Sequence, residues 1–151
     1  MLIGFYQSKI AGKGRCALPI KFREVLGSNI FIARWYEGCL VIVGQEEWSL
    51  LMNKLTGRSE IITQPVRDTD RFILGSAFEV ELDDQGRMVI PKSLRDYAGL
   101  TSDVVFLGLG NRVEIWDKSV WEKREEYIQE HAEELVEKLA LREETGGKRD
   151  A

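Results

Sequence analysis

The sequence predicts a mainly β fold with helices, an α+β chain assembled from two internal repeats and finished by a long C-terminal helix. Three observations carry that expectation. The segment 10–27 recurs at 82–99, apolar–polar alternation flanks a glycine-bearing turn, and the final stretch holds apolar residues at helical spacing. At an offset of 72, five positions are identical: Gly14/Gly86, Arg15/Arg87, Pro19/Pro91, Arg23/Arg95 and Gly27/Gly99. Ile10/Leu82, Cys16/Met88, Leu18/Ile90 and Phe22/Leu94 keep their apolar character. Trp48 matches Trp121 at an offset of 73, which needs one inserted residue.

Each copy spells the same elements in the same order. Residues 78–82 alternate as a half-buried strand does, residues 83–86 (Asp-Asp-Gln-Gly) are turn formers, and 87–90 resumes a strand. That is a hairpin signature. Pro91 suits the first turn of a helix and Gly99 the residue past its end, as Pro19 and Gly27 do in the first copy. Helices so bounded span about two turns and must lie against the sheet. A second hairpin follows in each copy, pairing 30–33 with 40–43 and 104–107 with 113–116. The turns fall near Glu37-Gly38 and Gly110-Asn111.

A helix then starts near Glu46, with Trp48, Leu51, Met52 and Leu55 on one face. Its counterpart starts near Asp117 or Ser119, either of which suits an N-cap. It carries Trp121, Ile128, Ala132, Leu135 and Leu139 as an apolar stripe. The stripe reads equally as an oligomer-forming face and as a face packed on its own domain. The expected organisation is a first repeat at 1–55, a linker at 56–75, a second repeat with the long helix at 76–144, and a disordered tail at 145–151. Within the linker, Gly57, Arg58 and Pro65 break any long helix, with a short one expected at Asp70–Leu74.

With 44% hydrophobic and 30% charged residues, the chain has an ordinary soluble composition. No apolar run approaches the roughly 20 residues a bilayer demands. The start, Met1 to Gln7, lacks a basic n-region, so the expected address is the cytoplasm, in association with the nucleoid if DNA is the partner. Cys16 and Cys39 lack metal-ligand spacing and are expected to be idle thiols. Cys16 aligns with apolar Met88 and should be buried, whereas Cys39 aligns with Arg112 and should be more exposed. His131 is the only histidine, which removes the usual parts of zinc sites and histidine triads. No phosphate-cradling glycine loop is followed by Lys-Ser/Thr. The expectation is a non-enzyme with no cofactor, no metal, no membrane and no small-molecule substrate.

Net charge is −4, but residues 1–75 carry 10 Lys/Arg against 7 Asp/Glu (+3) and residues 76–151 carry 11 against 18 (−7). A basic front and an acidic tail are separate surfaces, so the sum does not exclude nucleic acid. The candidate ligands are the basic tips of the first hairpins: Lys13 and Arg15 in one copy, Arg87 with Gln85 in the other. Gly14 and Gly86 free the turns, and the Asp83 carboxylate stands where it can orient Arg87 or cap turn amides. A pre-oriented arginine suits phosphate or guanine. The plain alternative is a solvated hairpin end. For Arg23 and Arg95 the favoured reading is a helix-end charge or a salt bridge to a neighbouring strand. Trp35, Trp48, Trp116 and Trp121 are expected to fill core or interface positions.

These motifs resemble the MraZ family, within the AbrB/MazE-type swapped-hairpin superfamily. The matching segments are Lys13-Gly14-Arg15…Leu18-Pro19…Phe22-Arg23 and Asp83-Asp84-Gln85-Gly86-Arg87…Ile90-Pro91…Leu94-Arg95…Ala98-Gly99. Gly38-Cys39-Leu40…Glu47-Trp48 and Asn111 to Trp116 add to them. The resemblance implies a bacterial transcription regulator acting on the promoter of the division and cell-wall gene cluster. It also implies a double-split, swapped-hairpin β-barrel formed by both copies, and a ring-like homo-oligomer on double-stranded DNA with tandem repeats. Family DNA contact would fall on Lys13, Arg15 and Arg87. One departure stands out: Ala11 occupies the place of the motif aspartate in the first copy. The competing class is a protein-interaction or antitoxin-like oligomeric module without promoter readout.

Overall fold

The computed structural model describes residues 1–55 and 63–149, with side chains of 1–54 and 63–142. In chain order the strands and helices begin with β1 (Leu2–Lys9), β2 (Arg15–Ala17), α1 (Ile20–Leu26), β3 (Asn29–Arg34), β4 (Leu40–Gly44) and α2 (Gln45–Leu55). They continue with α3 (Gln64–Ile73), β5 (Phe78–Glu81), β6 (Arg87–Val89), α4 (Lys92–Ala98), β7 (Asp103–Gly110), β8 (Val113–Asp117) and α5 (Lys118–Arg149). β2 and β6 coincide at an offset of 72, as do α1 and α4, while β4 and β8 coincide at 73. The inserted residue therefore lies between Gly99 and Val113. Single 3-10 turns at Gly12–Gly14, Tyr36–Gly38 and Leu74–Ser76 complete the regular structure of the described residues.

Six strands form an open antiparallel sheet in the order β1-β7-β8-β4-β3-β5, and β2 and β6 form a separate two-stranded ribbon. The second hairpins stand as expected, β3 with β4 and β7 with β8. The first hairpins do not. Each turn is closed by two backbone bonds: Ala11 N–H to the Arg15 carbonyl at 2.8 Å with Gly14 N–H to the Ala11 carbonyl at 3.1 Å, and Asp83 N–H to the Arg87 carbonyl at 3.0 Å with Gly86 N–H to the Asp83 carbonyl at 2.9 Å. The arms then part and take partners from the other copy. β1 runs along β7 from Leu2↔Gly110 to Lys9↔Asp103, β5 runs along β3 from Asn29↔Glu81 to Ile32↔Phe78, and β2 pairs with β6. A self-paired hairpin of two such short strands buries too little to persist in water, whereas the exchange places both copies on one core.

That core holds Phe22 from α1 and its repeat-mate Leu94 from α4, with Ile30, Ile32, Leu40, Ile42, Phe106 and Ile115 from the sheet. Tyr6 meets Phe22 edge-on at 5.0 Å between ring centroids, a favoured aromatic geometry. Cys16 and Met88 point inward from the middle of the ribbon.

Several sequence expectations are met, corrected or qualified. Pro65 sits in the first turn of α3, where its missing N–H is unneeded, so the helix opens at it rather than running through it. The helix there is longer than Asp70–Leu74, and its last carbonyls are held by Arg34, whose Nε reaches the Phe72 oxygen at 2.8 Å and Nη2 the Arg71 oxygen at 3.1 Å. Gly57 and Arg58 lie outside the described residues. Cys39 is fully buried rather than exposed, its Sγ donating to the Tyr36 carbonyl at 3.3 Å. Burial, then the nearby Glu114 carboxylate, pushes this thiol well above its ordinary range. Its aligned Arg112 is itself half-buried, pairing with Glu114 at 3.2 Å. Cys16 is buried as expected.

Trp35 and Trp116 are core residues, and Trp48 stacks on Phe31 at 5.5 Å. Asp117 ends β8, its Oδ1 accepting from the Thr101 N–H at 3.0 Å and hydroxyl at 2.6 Å.

The chain divides into two compact units, Met1–Lys118 and Ser119–Ala151. The second is the body of α5, which continues to Arg149 through most of the stretch predicted as tail. Along it, Val136 and Leu139 are exposed, and Leu135 borders on exposure. No described helix is long and apolar enough to cross a membrane.

Candidate nucleic-acid interface

The ribbon brings the two candidate tips side by side. Its pairs are Arg15↔Val89, Cys16↔Met88 and Ala17↔Arg87, extended by the Ile90 N–H to the Gly14 carbonyl at 2.9 Å and the Leu18 N–H to the Gly86 carbonyl at 3.0 Å. Because side chains alternate across a strand, Arg15, Ala17, Arg87 and Val89 share the outer face while Cys16 and Met88 face the core. Arg15 and Arg87 are diagonal neighbours about the central pair, a relation of about 7–8 Å. Lys13 and Gln85 occupy matching positions in the flanking turns, both exposed.

Every predicted site residue is thus at or beside this ribbon, and Gly14 and Gly86 are buried beneath its ends.

The two turns differ in what stabilises them. In the second, Asp83 Oδ1 accepts from the Gln85 N–H at 2.9 Å and the Arg87 N–H at 2.8 Å, while Oδ2 accepts from Arg87 Nε at 2.8 Å. This is an aspartate turn and an ion pair in one group. The Arg87 backbone N–H, more than any other partner, holds the Asp83 carboxyl below its ordinary range. In the first turn Ala11 offers no side-chain acceptor. Lys13 there adopts φ 66°, a left-handed conformation that costs an L residue roughly 1–2 kcal/mol.

Charge divides in the same way. Residues 9–15 carry Lys9, Lys13 and Arg15 with no acid (+3), whereas residues 81–87 carry Arg87 against Glu81, Asp83 and Asp84 (−2).

Sequence reasoning missed what Arg23 and Arg95 do. Neither is paired with a carboxylate among the described residues; each lies against the turn glycine of the opposite copy. A Cβ at Gly14 would stand 2.7 Å from Arg95 Nε, and one at Gly86 would overlap Arg23 Cδ, Cζ and Nη1. The space beside Gly14 is thus taken by Arg95, whereas Gly12 has open space around it. The signal was present: glycine and arginine are identical in both copies, as a reciprocal contact requires.

Similarity to known proteins gives the family. A family described as "MraZ protein, putative antitoxin-like" matches residues 73–143. The transcriptional regulator MraZ of Acetivibrio thermocellus is 44% identical over 142 residues, covering 93% of this chain and 98% of that protein. The chain belongs to the MraZ family. The transcriptional regulator MraZ of Syntrophomonas wolfei is 41% identical, covering 92% of this chain and 96% of its own, and that of a Thermoanaerobacter species is 40% identical with the same coverage. These relatives are named as regulators, not as enzymes. The solution structure of PHS018 from Pyrococcus horikoshii aligns at a TM-score of 0.33 and 16% identity, over 76% of this chain and 88% of that one.

Proposed function

We propose that this MraZ-family chain regulates transcription by laying the β2–β6 ribbon against double-stranded DNA, with Arg15, Arg87, Lys13 and Gln85 as the contacting side chains. The observation that carries the reading is the placement of Arg15 and Arg87 on one exposed face of a two-stranded ribbon. A ribbon of that width fits a major groove, where arginine is the usual partner of guanine and of phosphate. The Asp83–Arg87 pair presents a pre-oriented guanidinium, and Lys13 with Arg15 supplies unneutralised charge.

The exchange of strands between copies supports a swapped-hairpin, double-split barrel. The organisation into a first repeat at 1–55, a linker at 56–75, a second repeat at 76–144 and a tail at 145–151 belongs to the same reading. Two or three cations per chain give weak attachment, so a ring-like homo-oligomer on tandem repeats would raise affinity through effective concentration. The promoter of the division and cell-wall cluster is the proposed target, and the nucleoid the proposed place of action.

The Arg15→Ala/Arg87→Ala double variant tests the assignment. It is expected to abolish the gel shift of DNA taken from upstream of the protein's own gene. An undiminished shift from a folded double variant would overturn the ribbon as the interface.

A further inference from the structure

We propose that Arg23 and Arg95 are crossed positioning residues, each holding in register the DNA-binding tip that belongs to the other repeat. The inference rests on the reading of the tips as DNA contacts. It begins from two matching close approaches. Arg95 of α4 lies against Gly14 at the first tip, and Arg23 of α1 lies over Gly86 at the second. Both glycines are in the left-handed region, at φ 84° and 73°. In that conformation each turn offers a bare backbone face, and a flat guanidinium on a long aliphatic stem covers it.

The two contacts are not equal. Arg95 Nε donates to the Ile90 carbonyl at 2.9 Å, and the Ile90 N–H donates to the Gly14 carbonyl at 2.9 Å. The first tip is thus tied through the end of β6 to α4. Arg23 Nε is buried with no partner among the described residues, so Arg23 holds the second tip by packing alone. The inequality complements that of the turns. Asp83 already fixes the second tip through three hydrogen bonds, whereas the first, with Ala11, depends on Arg95. Neither arginine has to touch DNA for its loss to weaken binding.

The test is a crossed set of variants in the full chain. Arg95→Met keeps the stem and removes the guanidinium. It is expected to weaken binding of the upstream DNA about tenfold in the wild-type and Arg87→Ala backgrounds, and to add little in the Lys13→Ala/Arg15→Ala background. Arg23→Met is expected to show the reverse pattern with a smaller loss, about threefold. Equal losses in both backgrounds, or none, would overturn the proposal.

Amide exchange without DNA gives a second readout. Arg95→Met is expected to speed exchange at Ala11 and Gly14, and Arg23→Met at Asp83 and Gly86, with the Ile42 and Ile115 amides unchanged. Uniform acceleration, or none at the tips, contradicts the positioning role. Tip variants that leave DNA binding intact while exchange follows the crossed pattern would instead sink the DNA reading and leave the positioning in place. Where a Met variant does not fold, the corresponding Lys variant is expected to show the same crossed pattern at reduced size.

Discussion

The first tip carries Lys13 and Arg15 without an acid, lacks a side-chain acceptor at Ala11 and places Lys13 in a left-handed conformation. The second carries one arginine, tied to Asp83 by side chain and backbone, in a surround whose net charge is negative. The same place in the repeat has thus been used in two ways. One copy keeps unneutralised charge and leans on Arg95 from its neighbour for order; the other is internally ordered and offers less charge. Duplication makes this division possible because the ribbon joins both tips, so order in one copy supports attraction in the other.

The largest effect expected on this comparison comes from the glycines. At Gly14 an added Cβ meets the backbone oxygen of Ile90 at 2.7 Å. Gly14→Ala should cost about 2–4 kcal/mol, from the left-handed backbone and the forced shift together. At Gly86 the obstacle is the Arg23 side chain, which can swing aside, so Gly86→Ala should cost about 1–2 kcal/mol. Urea unfolding of both variants checks the order, and a reversed order would show that Arg23, not Arg95, is the firmer clamp.

Smaller, and confined to the second tip, is the effect of acid. The Asp83 carboxyl is held below its ordinary value of 3.8, so its contribution is fully present above that value and is lost as pH falls through the lower folded-state pKa. The protection of the Gln85 and Arg87 amides against exchange, measured relative to free peptide at each pH, should fall on acidification from about pH 5 to pH 2, while Gly12 to Arg15 show no such step. Asp83→Ala should abolish the step and leave the first tip as it was. A matching step at the first tip would mean that some other carboxylate orders both.

The order of elements was legible because it is written locally. Glycine and proline at repeated offsets mark the turns and helix ends, and the boundaries of β2, β6, α1 and α4 coincide with them. Strand partners were not, because alternation in 78–82 tells which face is buried and not which strand lies alongside. The choice of β3 over β6 is decided by what the two copies bury together. Cys39 illustrates a further limit: its counterpart Arg112 is charged yet half-buried, so alignment with a charge did not mean exposure. At the site, Arg15 and Arg87 could be named from the repeat alone. The role of Arg23 and Arg95 could not, since it exists only where the copies cross.

The central claim, two unequal tips on one DNA-facing ribbon, is tested most directly by the salt dependence of binding to the upstream DNA. Each phosphate contact removed should flatten the slope of log K against log salt by about 0.9. Lys13→Ala/Arg15→Ala should therefore flatten it about twice as much as Arg87→Ala, in proportion to the number of cations removed. Equal flattening, or a larger change from Arg87→Ala, would contradict the division between the copies.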